Sequence, residues 1–134
     1  MQILELIKEP MTKAQLLELS PIVLAFVGDA VHTLYVRNDI VKSKNLMVGK
    51  QHEKASKRCR ASHQAQIYDN IYSILTEEEH GVLRRGKNAK TNNIAKNADV
   101  KDYKKATALE CLIGWLWLQG DYERMSDILT YDKE

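Results

Sequence analysis

Cysteine, proline and phenylalanine are scarce in this 134-residue sequence, with two, two and one copies. The two cysteines, Cys59 and Cys111, form no CxxC pair and stand at no histidine spacing that holds zinc. A disulfide scaffold and a zinc module are therefore not expected, and free thiols predict a cytoplasmic protein. Sustained alternation of apolar and polar positions is missing throughout, which excludes a half-buried sheet and predicts an all-α fold. Long hydrophobic runs are missing too. The most apolar segment, Pro21 to Val36, is interrupted by Asp29 and His32 and is too short to span a bilayer, so no membrane association is expected. Glu5, Lys8 and Glu9 in the first nine residues predict no secretory signal. The length suits one domain over residues 1–134.

What is present is an uneven charge distribution beneath a small net charge of +2. Residues 42–105 carry 15 Lys/Arg against 7 Asp/Glu, and residues 84–105 alone carry 8 against 2. A basic central half fits a polyanionic partner, most simply nucleic acid, although a solvated helical surface gives the same count.

Local signals divide the chain into helices. Residues 2–9 read as a short helix or a frayed arm, ended by Pro10, and Thr12 caps a second short helix to Leu19. Ser20-Pro21 starts a long helix to about Asn38, since serine accepts from orphan N–H groups and proline suits the first turn. Its apolar positions Val23, Phe26, Val27, Ala30, Val31 and Leu34 cover more than one face, which predicts a central, mostly buried helix. Gly28 weakens it and marks close approach of another backbone or a ligand. Residues 40–44 read as a connection, and residues 45–72 as one helix or two with a break near Ser62. Thr76-Glu77-Glu78-Glu79 is a capping box, which explains the acidic triplet without a metal. Gly86 is expected to stop that helix. Residues 87–101 hold four asparagines and four lysines with no apolar period, so they read as a loop rich in donors for phosphates and sugar hydroxyls. A helix from Asp102 to Gln119, ended by Gly120, and a last one over 122–130 complete the chain.

Two of these helices contain an isolated acid. Asp29 and Glu110 each stand alone in a strongly apolar pattern. An unpaired carboxylate loses hydration on burial, so each needs a partner. Separate ion pairs with Lys or Arg, or an exposed position for Glu110, would satisfy them. So would a shared Mg²⁺, which removes the repulsion between two acids and takes carboxylate oxygens together with water.

The segment Phe26-Val27-Gly28-Asp29-Ala30-Val31 resembles the ribonuclease III signature, E-x-x-E-F-L-G-D-A-V. Ala108-Leu109-Glu110-Cys111-Leu112-Ile113-Gly114 is similar to that family's second motif, D-x-x-E-A-L-I-G. Leu83-Arg84-Arg85-Gly86-Lys87-Asn88-Ala89-Lys90 looks like the basic R-G-x-N-A-K segment of the Mini-ribonuclease III group, which has the catalytic domain without a double-stranded-RNA-binding domain. The resemblance implies a ribonuclease III-like helical bundle and a Mg²⁺-dependent endoribonuclease that leaves a 5′-phosphate and a 3′-hydroxyl. It makes Asp29 and Glu110 the metal ligands and catalytic residues. It further implies a homodimer acting on double-stranded RNA, with precursor 23S ribosomal RNA as substrate, and leaves open help from a ribosomal protein. Arg84, Arg85, Lys87, Asn88, Lys90 and Lys96 are the expected RNA contacts. The apolar Pro21–Val36 helix, with the space made by Gly28, is the expected dimer element.

The chain departs from the larger family at three acids. Ile22 and Ala25 stand where the signature has glutamates, and Thr107 where the second motif has its aspartate. The Mini group shares this reduced set, and Thr107 is placed to reach a metal through water. The rival expectation is an RNA-binding ribosome-assembly module of the same fold with weak or no activity.

Overall fold

The computed structural model describes residues 2–43, 48–89 and 99–131. They form helices α1 (Ile3–Lys8), α2 (Lys13–Leu17), α3 (Pro21–Lys42), α4 (Val48–Arg58), α5 (Ala61–Ile71), α6 (Glu77–Lys87), α7 (Val100–Leu118) and α8 (Tyr122–Tyr131), with a 3₁₀ turn at Tyr72–Ile74. No strand occurs among the described residues. The all-α architecture follows from the caps. Ser20 Oγ accepts from Val23 N at 3.3 Å, with Pro21 in the first turn of α3. Thr12 and Thr76 close reciprocal capping boxes with Gln15 and Glu79. Asp99 caps α7, accepting from Lys101 N at 2.8 Å. That cap lies three residues before the expected start at Asp102, because a residue read as loop supplies the acceptor.

Helix α7 is the axis of the bundle. Ala108, Leu109 and Leu112 are wholly buried, and α3, α5, α6 and α8 pack around it. Its end is set by Gly120, whose φ of 82° is the left-handed conformation glycine adopts freely. There Asp121 N donates to Leu116 O at 2.9 Å, satisfying a terminal carbonyl. The first helices are tied to this end. Met11 N donates to Leu118 O at 2.7 Å, and Tyr122 Oη donates to the Lys8 carbonyl at 3.3 Å.

One cross-link fastens α6 to α8. Glu79 is buried and accepts from Arg124 Nε and Nη2, both at 2.8 Å. Arg124 Nη2 also donates to the Ile74 carbonyl at 2.8 Å. Burial alone would raise the Glu79 carboxyl, but the bonds from Arg124 and Thr76 outweigh it and hold it below the usual range.

Several boundaries differ from expectation. Helix α3 runs four residues past Asn38 to Lys42. The break between α4 and α5 falls at Cys59–Arg60, because Arg60 takes an extended backbone and caps α5 without a side-chain bond. Gly86 does not stop α6, which continues to Lys87 with Asn88 as its cap. Its role is packing, since a Cβ there would lie 2.8 Å from Cys111 Sγ and 2.9 Å from Ala108 Cα. The loop expected over 87–101 is shortened at both ends by α6 and α7, and its residues 90–98, with Lys90 and Lys96, lie outside the described residues.

Helix α3 is not buried all round. Leu24, Ala25, Gly28, His32, Val36 and Ile40 face the core. Ile22, Val23, Phe26, Leu34 and Val41 are exposed, Phe26 at 77%. The apolar pattern wraps the helix, but the single chain covers one side of it.

Candidate active site

The site begins where α3 crosses α7. A Cβ on Gly28 would collide with the Glu110 carbonyl oxygen and lie 2.9 Å from Gly114 N. A Cβ on Gly114 would collide with the Leu24 carbonyl oxygen and lie 3.0 Å from Gly28 N. Two glycines facing each other let the backbones touch. The side chain after the first, Asp29, is thereby brought against Glu110.

The two carboxyls share a hydrogen bond, and burial together with Asp29 pushes Glu110 up to about 8. In the metal-free protein near neutral pH, Glu110 therefore keeps its proton and donates it to Asp29. The expectation that Asp29 is the buried charge is corrected: Asp29 is exposed, and the half-buried Glu110 carries the desolvation. The reason is the uncovered side of α3, which leaves Asp29 open to solvent at the rim of the crossing.

Two neighbours complete the surroundings. Gln64 of α5 is buried, donates to Glu110 and lies with Nε2 3.4 Å from His32 Nδ1. Cys59 Sγ lies 4.0 Å from Thr33 Oγ1, and burial and the nearby Asp29 charge raise its thiol, against the lowering pull of Thr33, Arg37 and Arg58. Sequence reasoning passed over Gln64, since a glutamine within a helix gives no pattern by itself. Thr107 is buried and its hydroxyl donates to the Tyr103 carbonyl at 3.0 Å, so its proton is committed within α7.

The donor set suits a hard cation with a large share of water. Among the described residues no group of three or more His, Cys, Asp or Glu side chains could hold a metal. Asp29 and Glu110 offer two carboxylates, which is the number Mg²⁺ commonly takes from protein when waters and phosphate oxygens fill the rest. A carboxylic acid held protonated beside a carboxylate is also the state that a divalent cation relieves.

One turn along α5 from Gln64, Tyr68 opens a basic pocket of about 250 Å³ lined by Tyr68, Tyr72, His80, Arg84, Lys87 and Asn88. Lys87 Nζ and Lys105 Nζ lie 5.9 and 5.6 Å from the Tyr68 ring centre, and Lys105 pairs with Asp69 at 2.8 Å. Three of the expected RNA contacts, Arg84, Lys87 and Asn88, thus converge. Arg85 turns away and donates through Nη2 to the Leu19 carbonyl at 3.2 Å. No described helix is long and apolar enough to cross a membrane.

Comparison with known proteins gives the family. The Ribonuclease III domain model matches residues 22–121, which include both carboxylates and both crossing glycines. The chain is 46% identical to the Mini-ribonuclease 3 of Thermoanaerobacter sp. (strain X514), over 90% of this chain and 85% of that protein. It is 40% identical to the Mini-ribonuclease 3 of Clostridium tetani, over 90% of this chain and 81% of the relative. A crystal structure of a Fusobacterium nucleatum protein superposes with a TM-score of 0.76 at 31% identity, covering 84% of this chain and 90% of that one. With the motifs, the helical fold and these relatives in agreement, the chain belongs to the ribonuclease III family, in its Mini-ribonuclease 3 group, and is an endoribonuclease.

Proposed function

We propose that this endoribonuclease cuts double-stranded RNA with Mg²⁺ held by Asp29 and Glu110. The observation that carries the reading is the carboxyl pair at the α3–α7 crossing, with Glu110 kept protonated until a cation replaces the proton. When bound, the ion supplies neutralisation of charge at the scissile phosphate and lowers the pKa of the attacking water. Asp29 presents its carboxylate at the solvent rim, where a duplex backbone has access. Glu110, once free of its proton, would hold the ion together with Asp29. Arg84, Lys87 and Asn88, at the end of α6, hold a phosphate of the duplex in the pocket beside Tyr68. Lys90 and Lys96 are proposed as further RNA contacts on their charge alone. Contacts to phosphates and 2′-hydroxyls read A-form shape more than sequence.

The exposed α3 stripe of Ile22, Val23, Phe26 and Leu34 supports a homodimer, since a monomer gains nothing from keeping it in water. The crossing glycine is not part of that interface, because α7 of the same chain already fills its space. The resemblance to the Mini-ribonuclease III group implies precursor 23S ribosomal RNA as the substrate and the cytoplasm as the place of action. The test is cleavage of a duplex RNA with Mg²⁺, with EDTA and with Asp29→Asn. Activity that needs Mg²⁺ and is lost in Asp29→Asn is expected. Cleavage that persists in the variant would refute the site, and a wild type inert on every duplex would refute the activity.

A further inference from the structure

The geometry points to Gln64 as a positioning residue: its buried amide ties the Glu110 carboxylate to His32 and keeps that carboxylate turned toward Asp29. The inference rests on the reading of Asp29 and Glu110 as the metal-holding pair. Gln64 is 3% exposed and His32 1%, so neither side chain is there for solubility. Each must find its bonds inside the protein, because an unmade bond at a buried polar group costs about 1–3 kcal/mol. A primary amide has two N–H donors on one nitrogen. One faces His32 Nδ1 at 3.4 Å, and the other satisfies Glu110.

One hydrogen assignment satisfies all three groups, with the amide nitrogen between His32 Nδ1 and Glu110. With its hydrogen on Nε2, His32 offers Nδ1 as an acceptor. That acceptor selects the amide orientation in which nitrogen, not oxygen, sits between the two groups. Turned over, the amide would set its carbonyl oxygen against a Glu110 oxygen whose proton is already given to Asp29, and the two would repel. His32 belongs to α3, Gln64 to α5 and Glu110 to α7, so the tie spans all three helices of the site. His32 follows Asp29 by three residues on α3, so the helix that presents one carboxylate also sets the orientation of the other. Partners behind a ligand commonly govern metal affinity by roughly 10–100-fold, because they fix the ligand's rotamer before the ion arrives.

The test measures Mn²⁺, as a paramagnetic stand-in for Mg²⁺, binding to the intact RNA-free protein by electron paramagnetic resonance. It is paired with kcat and KM on duplex RNA and with a thermal melt. Gln64→Met, which keeps the length and removes the donors, should weaken Mn²⁺ binding about tenfold or more and lower kcat, with KM for RNA unchanged. His32→Asn, whose Oδ1 takes the place of Nδ1, should stay near wild type. His32→Gln, whose acceptor falls at the Nε2 position, should resemble Gln64→Met. This opposite behaviour of two polar replacements is what a packing role would not produce, and it decides the matter even if Gln64→Met fails to fold. Wild-type Mn²⁺ affinity in folded Gln64→Met, or equal loss in both His32 variants, overturns the positioning role. Asp29→Asn serves as the reference and should lose binding. If it binds as wild type does, the paired-carboxylate reading fails and the positioning role falls with it.

Discussion

Gly28 and Gly114 face each other across the α3–α7 crossing: a Cβ on Gly28 would collide with the Glu110 carbonyl oxygen, and one on Gly114 with the Leu24 carbonyl oxygen. The obstructing atoms are backbone, so neither helix can yield without moving whole. Gly28→Ala should therefore destabilise by about 3 kcal/mol or more, at the upper end of overpacking costs. Gly81 in α6 has nothing within 4 Å of its absent Cβ, and Gly81→Ala should stabilise by about 0.5–1 kcal/mol. Urea unfolding of the two variants checks the contrast.

The raised Glu110 carboxyl predicts a pH-dependent stability with a definite sign. Folded, it titrates near 8, against an ordinary value of 4.5. Between those values the folded metal-free protein holds a proton that the unfolded chain has lost. Stability then falls as pH rises through that window. Added Mg²⁺ should reverse the fall, and its apparent affinity should tighten roughly tenfold per pH unit up to about pH 8. Calorimetry in two buffers of different ionisation enthalpy should find close to one proton released per ion at pH 6.5.

The Glu79–Arg124 cross-link acts in the opposite direction. Glu79 is held below its ordinary value, so its contribution is present above about pH 4.5 and is lost as pH falls below it. Arg124→Met leaves a buried carboxylate alone and should destabilise by about 3 kcal/mol. The double variant with Glu79→Gln should recover a large part of that loss, as read by denaturant midpoints.

Arg84 and Lys87 are expected to act on RNA through phosphate charge. Binding of a duplex to the Asp29→Asn protein should weaken steeply with salt. Adding Arg84→Ala or Lys87→Ala should reduce the slope of log K against log salt by about 1 each. Fluorescence anisotropy over a salt series measures this, and an unchanged slope would remove the residue from the interface.

The α3 stripe should control assembly. Phe26→Asp puts a charge at its most exposed apolar position and should shift the protein to monomer by light scattering, with the helical circular dichroism retained. Wild type that scatters as a monomer at micromolar concentration would count against the homodimer.

Much of the fold was legible because the caps are local chemistry. Ser20-Pro21, Thr76 with Glu79, and Gly120 each mark a boundary with side chains within a few residues, and the structure puts those boundaries there. The pairing of Asp29 with Glu110 was legible only as two like anomalies, since nothing within one helix says which other helix it meets. Gly86 was misread because the same residue type serves to end a helix or to admit a neighbour, and the neighbour, Cys111, lies 25 positions away. Asp29 was misplaced for a related reason: an apolar pattern shows that a helix is covered, not whether its own chain covers it. Gln64 was invisible because its meaning comes from two contacts on other helices.

Helix α3 faces two ways along its whole length, and this restricts how its gene can change. Each added residue turns everything after it by about 100° around the helix axis. One extra codon between Phe26 and Asp29 would swing the carboxylate, His32 and the core positions out of line with α7 while leaving the start of the stripe in place. No compensating adjustment of a loop restores that phase. Exposed positions of α3 such as Val23 and Leu34 are open to exchange of one residue for another, but the helix's length upstream of Asp29 is as fixed as the spacing of teeth on a gear.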